Sequence, residues 1–208
     1  MSEELVSRRA AARSGPGRPR GFDFDTAIER AVETFALHGY HGTSVQHLTE
    51  ATGLARGSLY KAFADKRDLF MQALEHYTLQ SQHRLAQALV QPGPVKEAIR
   101  GALAGYGRRC VSWRGRRGCI LTTAAMEMVP QDPEIDAVIG RMFRRIQDLF
   151  AAAIIRGQAN GEISCDLDER AVARFLLTVV QGLRVLGKTG PDEAAIDEVV
   201  VLAMRALD

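Results

Sequence analysis

Long apolar runs are missing from this 208-residue chain: eighteen consecutive apolar residues occur nowhere, which excludes an ordinary transmembrane helix. The first residues, Met1 to Arg9, contain no hydrophobic signal core, so a cytoplasmic protein is expected. Cysteine is scarce. Cys110, Cys119 and Cys165 are odd in number and lack framework spacing, which excludes a disulfide scaffold and fits reduced thiols. Neither sign of charge dominates, and a net charge of +2 excludes a polycation that coats nucleic acid indiscriminately. Alternating strand patterns of useful length are absent too. So are a Gly-rich phosphate loop, a Ser/His/Asp or Cys/His set in motif context, and a metal-ligand cluster. Gly53 to Gly57 lacks the Gly-Lys-Ser/Thr ending of such a loop, and His76 and His83 have no third ligand at useful spacing. The expectation is an all-α protein without enzymatic activity, metal or cofactor.

What is present is most informative between Thr43 and Phe63. Thr43 stands where it can cap a short helix, and Gln46 three residues later can complete a capping box. Val45, Leu48 and Ala51 then share one apolar face. Gly53 suits the left-handed residue that ends this helix. In the following helix Leu54, Leu59 and Phe63 point to a core, leaving Ala55, Arg56, Gly57, Ser58, Tyr60 and Lys61 on the open side. This is the layout of a helix-turn-helix over 44–63, whose second helix reads the DNA major groove.

The wider stretch from Phe24 to about Tyr77 resembles the TetR family of bacterial transcription regulators. The resemblance is carried by Ala27-Ile28, Ala31 and Phe35; His38-Gly39-Tyr40; Gly42 to Val45; Gly53 to Tyr60; Phe63; and Asp65 to Phe70. Beyond it, the chain is similar to the family in length and helical rhythm more than in residues. The resemblance implies a homodimeric, ligand-responsive repressor on a palindromic operator in double-stranded DNA. A different reading, a helical small-molecule carrier or enzyme with an incidental helix-turn-helix, is separated from it by DNA binding without turnover.

Residues 1–20 read as a flexible basic arm: Arg8, Arg9, Arg13, Arg18 and Arg20 face only Glu3 and Glu4, and Ser14 to Gly21 is rich in glycine and proline. Such an arm either settles in an A·T-rich minor groove or merely keeps the terminus solvated. Residues 21–81 form the expected DNA-binding domain, a three-helix helix-turn-helix unit with a fourth helix capped by Asp65. Residues 82–208 form the expected ligand-binding and dimerisation domain, with helices near 95–113, 118–129, 132–160, 167–187 and 192–206, about nine in all. Breaks are expected at Gln91 to Pro94, Arg114 to Gly118, Pro130 to Pro133, Asn160-Gly161 and Gly187 to Pro191. The last two helices carry more apolar residues than a small domain covers, so a second copy is expected to bury them as a four-helix bundle.

Candidate DNA contacts follow from position. Thr43 and Ser44 offer hydroxyls at a helix start, and Gln46, Arg56 and Ser58 are placed for base edges. Gly57 permits close approach. By resemblance, Tyr60 and Lys61 match a phosphate-contacting pair and Lys66 another backbone contact. Ala62 departs from the family, where a polar residue is common. Tyr106, Trp113, Met126, Met142, Phe143 and Phe175 are candidates to line a small-molecule pocket; as large hydrophobes most of them suit a plain core better. Cys119 stands at a helix start beside Arg114, Arg116 and Arg117, features that favour thiolate. The run Gly118-Cys119-Ile120-Leu121, followed by Ala124-Ala125-Met126-Glu127, resembles a TetR-family branch that senses electrophiles through a cysteine here. A small packing thiol is the alternative. Cys110 and Cys165 read as inert thiols, with the alternative that Cys110 resolves an oxidised Cys119 if the loop brings them together.

Overall fold

Helical spacing of apolar residues, punctuated by glycine, proline and capping side chains, gives ten α-helical segments and no strand among the described residues. The computed structural model describes residues 24–208; the basic arm lies outside them. The elements are α1 (Phe24–Gly42), α2 (Val45–Thr52), α3 (Arg56–Ala62), α4 (Lys66–Leu89), α5 (Val95–Val111), α6 (Trp113–Arg117), α7 (Ile120–Met128), α8 (Pro133–Ala159), α9 (Glu169–Leu186) and α10 (Glu193–Met204). Setting aside the one-turn α6 leaves nine. No helix is long and apolar enough to cross a membrane among the described residues.

Helix starts are fixed by short polar side chains. Asp65 accepts from Asp68 N–H at 2.8 Å, Asp168 from Arg170 and Ala171 N–H at 2.8 and 3.0 Å, and Asp192 from Ala195 N–H at 2.8 Å. Each such cap is worth about 0.5–2 kcal/mol. The first helix of the helix-turn-helix departs from expectation. Its cap is Ser44, which accepts from His47 N–H at 3.1 Å while His47 Nδ1 accepts from Ser44 N–H at 3.3 Å. His47 therefore closes the capping box, and Gln46 is free to reach Glu50 at 2.9 Å. Thr43 is turned inward instead, buried with its hydroxyl donating to the Gly39 carbonyl. The reason is one residue of register: Gly39 breaks α1 with φ 73° and ψ 177°, and the chain needs Thr43 to satisfy the carbonyl so exposed.

The break expected at Arg114 to Gly118 contains the one-turn α6, and α4 runs unbroken past residue 81 to Leu89. The expected domain boundary therefore falls inside a helix. α1 lies across α4 and α7, α4 continues against α5 and α8, and α9 and α10 pack on α8 and α5 respectively. Phe35, Phe70, Met142 and Phe150 are fully enclosed in a core that runs through the whole described chain.

Candidate nucleic-acid interface and effector cleft

Leu48, Leu59 and Phe63 are buried, and the ring of Phe63 stacks on Phe24 at 5.3 Å. Arg30 of α1 donates to the Ala51 carbonyl at 3.1 Å, tying the end of α2 to the bundle. These contacts orient α3 so that Arg56, Gly57, Ser58, Tyr60 and Lys61 are all exposed together, with the Arg56 guanidinium 5.8 Å from the centre of the Tyr60 ring. Ser44 and Gln46 are exposed on the neighbouring helix. Two of the expected contacts are placed differently. The Thr43 hydroxyl is spent internally, as above. Lys66 is half-buried: its ammonium donates to the Tyr40 and Thr43 carbonyls at 3.0 Å each and sits 4.5 Å above the Tyr40 ring. It neutralises carbonyls left open at the end of α1, so it braces the unit from inside.

A cleft of about 450 Å³ opens between α1, α4, α5, α6 and α9. Of the expected lining residues only Tyr106 reaches it. Met142 is fully buried in the core, Phe143 packs against that core, and Trp113, Met126 and Phe175 are exposed. The first group is sequestered because it faces the bundle axis. The second sits on helix faces that no neighbouring element of the described chain covers.

Cys119 does lie in the cleft, at the N-cap of α7, and buried. The Arg184 guanidinium donates to its sulfur at 3.0 Å, and the Tyr77 hydroxyl is 3.1 Å away. Burial pushes the thiol up and is the largest single influence, but the Arg184 charge and the hydrogen bonds from Tyr77 and Thr122 together outweigh it and hold Cys119 below the ordinary thiol value. Burial raises the Tyr77 phenol well above its usual range, so beside a thiolate the phenol is the donor. Arg184 also donates to Ser81 at 3.2 Å and packs over the Tyr77 and Tyr106 rings. The arginines adjacent in sequence play another part. Arg114 and Arg117 pair with Glu33 at 3.5 and 3.3 Å and stack on Trp113, while Arg116 lies against Gly190. Cys110 lines the same cleft, with burial raising its thiol, and Cys165 is exposed outside it. His76 shares its ring nitrogen with Gln80 at 2.8 Å.

α7 joins the cleft to the helix-turn-helix unit. Eight residues beyond Cys119, the Glu127 carboxylate accepts from the Tyr40 and His41 N–H groups, each at 2.7 Å. Gly39 is what lets it approach: a Cβ there would sit 2.5 Å from Glu127 Oε2, on a backbone conformation that side chains avoid. Gly39→Ala is therefore expected to cost about 1–3 kcal/mol, read as a drop in melting temperature of about 2–4 °C per kcal/mol. An unchanged melting curve would mean that α1 and α7 separate freely here. Below this clamp Arg67 holds Asp132 at 2.6 Å and Glu134 at 2.7 Å, and its hydrogen bond keeps the Asp132 carboxyl down at about 2.

Tyr77, Ser81 and Arg184 were missed as site residues by sequence reasoning, and Glu127 entered it only as the end of a resembling run, with no role assigned. The one usable signal was Arg184 itself, a lone charge in the apolar run from Val179 to Leu186.

Comparison with known proteins adds kinship to this geometry. Residues 27–73 match the family described as bacterial regulatory proteins, tetR family, and residues 113–202 match the tetracyclin repressor-like C-terminal domain. The chain is 32% identical over 193 residues to the uncharacterised HTH-type transcriptional regulator YezE of Bacillus subtilis, covering 92% of this chain and all of that one. It is 28% identical to the HTH-type transcriptional repressor ComR of Escherichia coli, over 92% of this chain and 90% of the relative. Among solved structures, a cysteine mutant of the TetR family transcriptional regulator CifR, complexed with 26-bp operator DNA, superposes with a TM-score of 0.82 at 33% identity, covering 92% of this chain and all of that one.

Proposed function

The chain belongs to the TetR family of bacterial regulatory proteins, and from that premise we propose that it is a homodimeric repressor in the cytoplasm, released from its operator when an electrophile alkylates Cys119. One observation carries the reading: Cys119, held toward thiolate by Arg184 inside a cleft, begins the helix whose last turn grips the DNA-facing unit through Glu127. An adduct grows at one end of α7, about 12 Å at 1.5 Å per residue from the clamp at the other. It shifts the two heads only as far as the adduct is better accommodated by the released state than by the bound one.

Residues 21–81 are the DNA-reading unit in this proposal, and 82–208 the effector and dimerisation unit. The second copy docks on α9 and α10, where Phe175, Val185, Leu186, Val201 and Leu202 are each more than two-fifths exposed. A two-fold axis between copies sets the palindrome of the operator.

On DNA, Arg56 and Ser58 read base edges and Tyr60 and Lys61 position the helix on phosphate, with Ser44 and Gln46 flanking. Gel shifts at several salt concentrations test this. Lys61→Ala and Tyr60→Ala should weaken binding to every sequence, and loss of the Lys61 charge should lower the salt slope by about 1. Arg56→Ala should cost about 1–3 kcal/mol on the cognate site and relax preference at one base per half-site. If Arg56→Ala matched wild type on cognate and altered operators, the base-reading assignment would be wrong.

A further inference from the structure

The cleft that holds Cys119 is lined by five arginines and only two glutamates. Their pairing is uneven. Glu33 is already shared by Arg114 and Arg117, and Arg184 is committed to the Cys119 sulfur and Ser81. Among the described residues, Arg84 is bonded only to the neutral Gln80 side-chain carbonyl at 3.1 Å. Arg109 lies over the Tyr106 ring at 4.8 Å, the same ring that Arg184 covers at 5.4 Å, with no carboxylate in ion-pair reach among the described residues. Desolvation is the main influence that disfavours the Arg109 guanidinium; Tyr106 opposes it, and the like charges of Arg84 and Arg184 add to it. Arg84 and Arg109 are exposed on the cleft and unpaired with a carboxylate among the described residues, so their planar guanidinium forks are open to a carboxylate that can match them two bonds at a time. Val32, Ala36, Ile120 and Leu183 supply an apolar wall beside them, suited to a short carbon skeleton.

We propose that the effector of this protein is an electrophile that carries a carboxylate, received by Arg109 and Arg84 while Cys119 takes the carbon. The proposal rests on the thiol reading above and adds the chemical class of what the thiol captures. In the simplest instance, iodoacetate, the Cys119 lone pair forms an S–C bond to the methylene, the C–I bond breaks and iodide leaves with its electron pair. The carboxylate is unchanged and stays on the arginines.

Iodoacetate and iodoacetamide share size and leaving group and differ in charge, so their rate ratio at one sulfur isolates the charge preference, and the thiolate fraction cancels. The test is peptide-resolved alkylation of the full chain at neutral pH, with Cys165, exposed and outside the cleft, as internal reference. The iodoacetate-to-iodoacetamide ratio at Cys119 should exceed that at Cys165 by about tenfold or more, as in an arginine-lined cleft that concentrates anions. Arg109→Gln and Arg84→Gln should each lower that ratio severalfold. Labelling of Cys119 by both reagents at the Cys165 ratio, or a ratio that neither substitution moves, would overturn the proposal while leaving the thiol reading intact. Silence of Cys119 toward both reagents would overturn the thiol reading and this proposal with it.

Discussion

Arg184→Met is expected to slow alkylation of Cys119 by iodoacetamide at neutral pH by about tenfold or more. A hydrogen bond to a charged group is worth about 1.5–3 kcal/mol, and about 1.4 kcal/mol is tenfold in an equilibrium, here that between thiol and thiolate. Methionine fills comparable volume between the Tyr77 and Tyr106 rings but leaves burial, which disfavours thiolate, unopposed by charge. The pH profile gives the sign. Cys119 in the folded protein has a lowered pKa, so its reactivity persists below the range of an ordinary thiol and is lost as pH falls through the folded value. In Arg184→Met the loss should set in at higher pH. Arg184→Lys, which keeps the charge without the fork, should fall between the two. Operator release by an electrophile should slow in the same order and vanish in Cys119→Ser. An Arg184→Met protein that alkylates at the wild-type rate, with an unshifted pH profile, would show that Arg184 does not activate the sulfur.

Glu127→Ala is expected to disconnect the cleft from the DNA-facing unit. In wild type, coupling between effector and operator of ordinary size is about 1–3 kcal/mol, a five- to 150-fold weakening of operator binding on alkylation. That coupling has to cross from α7 to α1, where the 2.7 Å hydrogen bonds from Tyr40 and His41 to Glu127 are the shortest polar links; Thr123 to the Ala36 carbonyl, at 3.4 Å, is a weak third. Without the carboxylate, alkylation of Cys119 should proceed at its normal rate while its effect on operator affinity collapses toward one. Fluorescence anisotropy of labelled operator, with unmodified and fully alkylated protein, measures both. The loss of two charge-assisted bonds at a half-exposed site should also cost about 1–3 kcal/mol of stability. If alkylated Glu127→Ala were released as completely as alkylated wild type, the signal would have to travel elsewhere, and Arg67 with Asp132 would be the next link to cut.

How much of this was legible in the sequence depends on the range of the interaction that fixes each feature. Helix identity and most helix ends are local. The 3.6-residue recurrence of Ala27, Ile28, Ala31 and Phe35 and the cap at Asp65 each depend on residues within a turn or two, so they could be read directly; the caps at Asp168 and Asp192 are as local but were not singled out. The exposed face Arg56 to Lys61 is local for the same reason: once Leu59 and Phe63 are inside, helical geometry puts the others out. Where several neighbours compete for one local role, sequence left the choice open. Thr43 and Ser44 both suit a cap, and only the carbonyl freed at Gly39 decides that Thr43 turns inward and Ser44 caps, with His47 and not Gln46 as its partner. The cleft lies beyond that range altogether. Tyr77, Tyr106, Cys119 and Arg184 come from four separate elements, and the arginines next to Cys119 in sequence are drawn away by Glu33, 81 to 84 residues earlier. The sequence alone determined that this chain is helical, that it carries a helix-turn-helix and that Cys119 stands at a helix start. Only tertiary packing decided which guanidinium meets the sulfur and that Glu127 reaches α1, because electrostatic partners are set by distance in space, and chain separation says nothing about that once helices pack.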